Sequence, residues 1–157
     1  MVTIKWCWHT KNGLEIIDPN KNMSLSYLAM AEESLKVLAS IQESKIWIAT
    51  STYYIFYYSL YAFMLRLGVK CEIHACSLEF MKRFLVPPYH QKDVAMIEKA
   101  FKARTDLQYY ADRAVDPVLI QETRKYCSDF YVKTKDILST LSEDQITALR
   151  NKVQKFK

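Results

Sequence analysis

Arg104 is the residue of this 157-residue chain whose surroundings most suggest a binding site. The helical face that carries it also carries Ile97, Phe101, Gln108 and Ala111, at intervals of three and four residues. A guanidinium is always charged, so among apolar residues it must either form an ion pair or line a polar cleft. Two interpretations follow. Arg104 either bridges to a glutamate of a neighbouring helix or holds a phosphate in its planar fork.

Four further residues complete the candidate ligand-binding site. Asp106 and Tyr110 are four residues apart on another face of the same helix, and Tyr109 lies about 140° around the helix from Arg104. A tyrosine ring can stack on a nucleobase. His74 follows the preceding long helix, where a capping or packing role is the simpler interpretation. None of the five is predicted to be catalytic.

The four cysteines show no paired spacing of the kind found in zinc ribbons. Cys71, His74 and Cys76 offer three metal ligands from one short loop, but a fourth ligand is not evident. We therefore expect no metal and no cofactor. The simpler interpretation is that the thiols are reduced and lie in or near the core of a cytoplasmic protein. A disulfide stays open, since sequence alone does not show one.

Composition favours an all-α fold. The chain has only two glycines, whereas hairpins, barrels and phosphate-cradling loops use many. The formal net charge of +5 permits contact with nucleic acid without requiring it. No apolar segment with a cleavage site follows the N-terminus, so export is not expected.

An uncharged run of twenty residues, Ile46–Leu65, is long enough to span a bilayer. Its content argues against this, because five tyrosines and four serine or threonine hydroxyls would each need a partner in hydrocarbon. The run is apolar on every side, which is typical of a helix surrounded by protein. We predict the central helix of a bundle, with part of its aromatic surface at a two-fold interface.

Caps and apolar periodicity place the other helices. Gly68 is expected as a left-handed C-cap, and Ser142 with Gln145 forms a capping box. Asp116 and Pro117 are expected to start a long helix. The predicted helices span about 24–44, 46–67, 77–85, 90–110, 116–140 and 143–155. The prediction is a single domain over 1–157, with an arm over 1–23, a core bundle over 24–140 and a C-terminal helix over 142–157. The arm is either irregular or a short hairpin around His9–Gly13.

The order and spacing of these motifs resemble HEPN domains, named for their occurrence in higher eukaryotes and prokaryotes as nucleotide-binding domains. The resemblance covers roughly residues 20–140. Arg104 and Tyr109 match an Arg-x4-Tyr pattern of small prokaryotic HEPN proteins. The other matching segments are Tyr27-Leu28, 31–35, 51–56, 65–68, His74, Phe80 and Phe84.

The resemblance implies an up-and-down bundle of four to five principal helices, often a homodimer, that commonly stands beside a small nucleotidyltransferase. Several such pairs act as toxin and antitoxin. Active members cleave RNA without a metal, using an arginine with a polar residue after it and a histidine four to six residues on. Here Thr105 follows Arg104 and residues 109–111 include no histidine. A tyrosine, with a pKa of about 10, is a poor base at neutral pH.

The sequence thus predicts a non-catalytic or weakly catalytic domain that binds nucleotide or RNA phosphate and acts with a nucleotidyltransferase partner. The resemblance also suggests that Tyr109 or Tyr110 accepts a modification from that partner. Two alternatives stay open. One is a metal-independent ribonuclease toxin with a degenerate motif, and the other is a helical scaffold in which Arg104 only bridges helices.

Overall fold

The computed structural model describes residues 1–157 as seven α-helices and one two-stranded sheet. The all-α prediction is confirmed at the level of fold class, because the two strands contribute only two residues each. The elements in chain order are α1 (Ile4–His9), β1 (Glu15–Ile16), α2 (Lys21–Ser40), α3 (Lys45–Arg66), β2 (Val69–Lys70), α4 (His74–Phe84), α5 (Gln91–Tyr109), α6 (Pro117–Thr140) and α7 (Glu143–Phe156).

The uncharged run forms α3, the helix at the centre of the fold. It packs against α2, α5 and α6, and its buried residues lie on every side of the helix. Most of the helix is covered by protein, as predicted, and this explains why the run carries no charge. One face of its N-terminal half is the exception, because Trp47 is exposed and Ser51, Tyr54 and Tyr58 are only half-buried. None of the helices combines the length and the apolar content that crossing a membrane requires.

The N-terminal arm is a short helix followed by a strand, so the predicted hairpin is wrong. The strand β1 pairs antiparallel with β2, with Glu15 opposite Lys70 and Ile16 opposite Val69. Its partner is this distant segment because the chain reverses at Gly68 and brings β2 alongside the arm. The Ile17 N–H donates to the Gly68 carbonyl at 2.9 Å, which continues the pairing.

A disulfide fastens the arm to the bundle. Cys7 of α1 is bonded to Cys76 of α4 across 69 positions of sequence. The interpretation of all four cysteines as reduced thiols is therefore wrong for this pair. Cys71 and Cys127 are free and buried, as that interpretation expected.

Several helix boundaries follow directly from side-chain caps. Asn20 accepts a hydrogen bond from the Met23 N–H at 2.9 Å, so α2 begins at Lys21, ahead of the predicted start near Ser24. It ends at Ser40, because Ser44 serves as the N-cap of α3. The predicted starts of α6 at Asp116–Pro117 and of α7 at the Ser142 capping box are confirmed.

The C-terminal end of α3 is held by an arginine from α7. Gly68 has a φ of 73°, the left-handed conformation predicted for it. Arg150 donates hydrogen bonds to the carbonyl oxygens of Ile17, Leu67 and Gly68. The Leu67 and Gly68 carbonyls lie past the last turn of α3 and Ile17 lies in the arm, so the guanidinium ties the end of this helix to the arm. Arg150 of the C-terminal helix therefore has a structural role.

Candidate functional site

Arg104 lies half-buried on α5, over a group of tyrosine rings. Its guanidinium carbon is 5.2 Å from the ring centre of Tyr53 and 5.4 Å from that of Tyr54, both on α3. The ring of Tyr109, at the end of α5, is 5.7 Å away. All three distances are within the range of cation–π attraction. The tyrosine rings of α3 therefore form the surface against which the Arg104 guanidinium packs.

Hydrogen bonds fix the direction of the Arg104 side chain. Its Nε donates to Gln108 Oε1 at 2.9 Å, and Gln108 Nε2 donates to Thr50 Oγ1 of α3 at the same distance. Its Nη2 makes a longer contact of 3.4 Å to the Tyr109 hydroxyl. A guanidinium carries five N–H donors, and these contacts use two of them. Three donors are left for a ligand.

No carboxylate pairs with Arg104. Eight ion pairs occur in the chain, and none involves this residue. The bridge to a glutamate of a neighbouring helix, one of the two interpretations of the sequence, does not occur. The charge is offset only by ring faces and one amide oxygen. An anion that entered the site would meet the Arg104 guanidinium with no carboxylate already bound to it.

His74, at the start of α4, belongs to the same cluster. Its Nδ1 is 2.7 Å from the hydroxyl of Tyr53, and its ring stacks on Tyr57 with 3.9 Å between centres. Burial, and after it the charge of Arg104, lower the pKa of His74 to about 4. The imidazole is therefore neutral at neutral pH. The structure thus brings together three of the predicted site residues: Arg104, Tyr109 and His74.

Asp106 and Tyr110 lie outside this cluster, which corrects the predicted site. Two residues along a helix correspond to about 200°, so Asp106 points away from Arg104. Its carboxylate pairs with Lys102 and with Arg113, the latter at 2.7 Å. Hydrogen bonds from Lys102 and Arg113 lower the pKa of Asp106. The Arg113 guanidinium also lies 3.5 Å from the centre of the Tyr110 ring. In this second cluster two cations surround one carboxylate, so Asp106 is fully paired and the cluster keeps a net charge of +1.

The site contains residues that the sequence interpretation did not assign to it. Tyr53, Tyr54 and Thr50 were treated as packing residues of the central helix. Gln108 was noted only as a member of the stripe that carries Arg104. The four-residue spacing from Arg104 to Gln108 was the available signal, since side chains so spaced on a helix touch.

Cys71, before α4, and His74 and Cys76, in its first turn, do not form a metal site. Cys76 is bonded to Cys7, and Cys71 Sγ contacts the Ile73 carbonyl oxygen at 3.2 Å. Nowhere in the chain do three or more histidine, cysteine, aspartate or glutamate side chains converge as metal ligands would.

No protein-family model, curated protein or solved structure matches this chain. Function is therefore inferred from the chemistry around Arg104.

Acid should destabilise the protein through His74. The unfolded chain takes up a proton near the ordinary pKa of 6.5, whereas the folded chain does so only near 4. Stability should therefore fall as the pH drops through the interval between these two values. Urea unfolding at a series of pH values checks this, with the slope expected to flatten in His74→Gln. The exposed His9 supplies the control variant, His9→Gln. An equal loss of stability in His74→Gln and wild type would contradict the assignment.

Proposed function

We propose that this chain binds the phosphate group of a nucleotide or of RNA with Arg104. The observation that carries the proposal is a half-buried guanidinium that has no carboxylate partner and three uncommitted N–H donors. Phosphate oxygens match such a fork in charge and geometry. The exposed ring of Tyr109 offers a base a face on which to stack. Because His74 is neutral at neutral pH, Arg104 is the group of the site that supplies the positive charge.

Isothermal titration of the wild-type protein with nucleoside 5′-monophosphates and short single-stranded RNA tests the proposal. Binding should weaken steeply as salt is added, because the principal contact is between opposite charges. Heat signals that are absent for every phosphate compound, or an affinity that salt leaves unchanged, would contradict it.

A second candidate function is metal-independent RNA cleavage, favoured by the placement of His74 beside Arg104. In this case His74 of α4 would take the role of the histidine that active HEPN members carry four to six residues after the arginine. Against this, a pKa of about 4 makes His74 a weak base at neutral pH, and its Nδ1 is occupied by Tyr53.

We expect purified protein to leave single-stranded RNA intact over several hours, because His74, the histidine of the site, has a pKa of about 4 and is a weak base near neutrality. Gel analysis of an end-labelled oligonucleotide checks this result. If RNA is cut, and both Arg104→Ala and His74→Ala abolish cutting with unchanged circular dichroism, then the ribonuclease function replaces phosphate binding as the conclusion.

We further propose that the chain is an up-and-down bundle of the HEPN type that works in the cytoplasm as a homodimer with a nucleotidyltransferase partner, in a toxin–antitoxin pair. The sequence resemblance supports this proposal, whereas the Cys7–Cys76 disulfide is of a kind more common in oxidising compartments than in the cytoplasm. The exposed side chain of Ile46 on α3, outside the residues assigned to the ligand, is available for subunit contact. Light scattering at micromolar concentration should give twice the mass of the 18.5 kDa chain. A clean monomer would contradict the dimer.

A further inference from the structure

The strongest unassigned feature of the structure is a groove between α2 and α3 that runs up to the Arg104 cluster. Its volume is about 380 Å³, within the range of small-molecule sites. It is lined by Met30, Glu33, Ser34, Val37, Trp47, Thr50, Ser51, Tyr54 and Tyr58.

Two of the lining residues also touch the Arg104 cluster. The ring of Tyr54 lies under the guanidinium, and Thr50 accepts the hydrogen bond of Gln108, which in turn holds Arg104. These two shared residues place the groove next to the Arg104 cluster, with a charged group on one side and aromatic rings on the other.

The aromatic side has the composition of a base-binding surface. Trp47 is 59% exposed, although an indole ring of this size is usually covered by protein. The rings of Tyr54 and Tyr58, which also line the groove, contact each other with 5.2 Å between centres and their planes tilted by 34°. Aromatic faces of this kind bind the flat rings of nucleobases.

The charges of the groove distinguish a single nucleotide from a strand of RNA. Proteins that hold a strand line its path with lysine and arginine, whereas this groove contains no cation. Its one ionised side chain is Glu33, which makes no ion pair. A second phosphate in the groove would be repelled. The groove therefore fits one base and excludes a continued backbone.

Glu33 also bears on which base is bound. An ionised carboxylate only accepts hydrogen bonds. Guanine presents two adjacent N–H donors on its Watson–Crick edge, which a carboxylate can accept together. Adenine and cytosine place a ring nitrogen acceptor next to their amino group, and uracil flanks its single N–H with two carbonyls. These acceptors would face the negative charge of Glu33.

We propose that the groove binds the guanine base of a free guanine nucleotide, with Trp47 as the stacking residue and Glu33 as the specificity residue. The proposal rests on the proposed function, since Arg104 is taken to hold the phosphate of the same nucleotide.

Isothermal titration with GMP, AMP, guanosine and ribose 5-phosphate separates the two sides of the site. Trp47→Ala should weaken GMP binding about 5- to 150-fold, the equivalent of about 1–3 kcal/mol of base stacking at about 1.4 kcal/mol per tenfold. It should leave ribose 5-phosphate binding unchanged. Glu33→Gln should lower the preference for GMP over AMP about tenfold or more, because the negative charge is lost and the amide offers only one acceptor atom to the two N–H donors of guanine. Trp6→Ala, at an exposed tryptophan of α1, and Glu32→Gln, beside the groove residue, are matched controls and should behave as wild type.

Four outcomes would overturn the groove proposal. If GMP, AMP and ribose 5-phosphate bind equally and Arg104→Ala weakens all three, phosphate binding stands and the base site falls. If a guanine-free RNA binds more tightly than GMP and Trp47→Ala has no effect on it, the ligand is a strand. If Trp47→Ala converts a dimer to a monomer without changing GMP affinity, a second copy of the chain fills the groove. If neither GMP nor ribose 5-phosphate binds at millimolar concentration, both the guanine site in the groove and nucleotide phosphate binding by Arg104 are rejected. GMP binding that depends on Trp47 and Glu33 but not on Arg104, with guanosine bound as tightly as GMP, would keep the base site and reject the phosphate site.

Discussion

Replacing Asp93 by alanine should lower the free energy of unfolding by about 3 kcal/mol, the lower end of the range for breaking a buried ion pair. Asp93 is fully buried near the start of α5, and both its carboxylate oxygens lie 2.7 Å from Lys133 Nζ of α6. It also accepts hydrogen bonds from the Tyr126 hydroxyl and the His90 N–H, each at 2.7 Å. The variant leaves all three donors without a partner. Lys133 is 30% exposed and can turn towards water, which limits the loss.

Urea unfolding of wild type and Asp93→Ala at neutral pH measures this effect. The exposed aspartate of the same helix pair, Asp129, provides the control, and Asp129→Ala should change stability by less than about 0.5 kcal/mol. A loss below about 1 kcal/mol in Asp93→Ala would show that the network contributes little.

Protonation of Asp93 should also lower the free energy of unfolding at acidic pH. Burial alone would raise its pKa, but the hydrogen bonds from Lys133, His90 and Tyr126 outweigh burial and lower it. Its contribution is therefore complete above the ordinary carboxyl pKa and is lost as the pH falls through the lowered value of the folded state. This loss occurs at more acidic pH than the loss that His74 causes.

The long helices could be predicted from sequence because their signals are local. The cap and proline that start α6, the capping box of α7 and the left-handed Gly68 each depend on neighbours within a few residues. The central place of α3 followed from its lack of a polar side. The strand pairing of β1 with β2 and the Cys7–Cys76 disulfide could not be predicted in this way, because each joins segments far apart in the chain.

The candidate site was predictable only in part. Arg104 was found because a charge in an apolar stripe is unusual, and Tyr109 followed from its spacing. Whether Arg104 met a glutamate or an open cleft depended on what α3 and α4 place opposite it, and sequence spacing carries no information on this. Asp106 was assigned to the site for its charge, but the end of α5 turns Arg113 back to neutralise it.

Arg104→Ala should weaken phosphate binding while scarcely affecting the fold. The loss of a charge-assisted contact should cost about 1.5–3 kcal/mol of binding free energy. The free energy of unfolding should change by about 1 kcal/mol or less, because the residue leaves no stranded carboxylate and forfeits mainly cation–π contacts. Arg104→Lys should not restore binding if two N–H groups grip the phosphate together.

Arg83, in the last turn of α4, provides a matched control for Arg104. Arg83 also forms no ion pair and lies over an aromatic ring, that of Phe156, at 4.6 Å. Arg83→Ala should leave binding at the Arg104 site unchanged. A helical scaffold, the remaining alternative, would show the opposite pattern, with Arg104→Ala unfolding the protein and no ligand bound by wild type.

The most direct measurement is therefore a paired experiment on wild type, Arg104→Ala, Arg104→Lys and Arg83→Ala, with GMP and ribose 5-phosphate titrated calorimetrically and stability followed by thermal melts. A phosphate-binding Arg104 gives binding about tenfold or more weaker for both compounds in the two Arg104 variants, with melting temperatures close to that of wild type. A large fall in melting temperature on Arg104→Ala, together with equal or absent binding in all four proteins, would contradict the assignment of Arg104 as a ligand-binding residue.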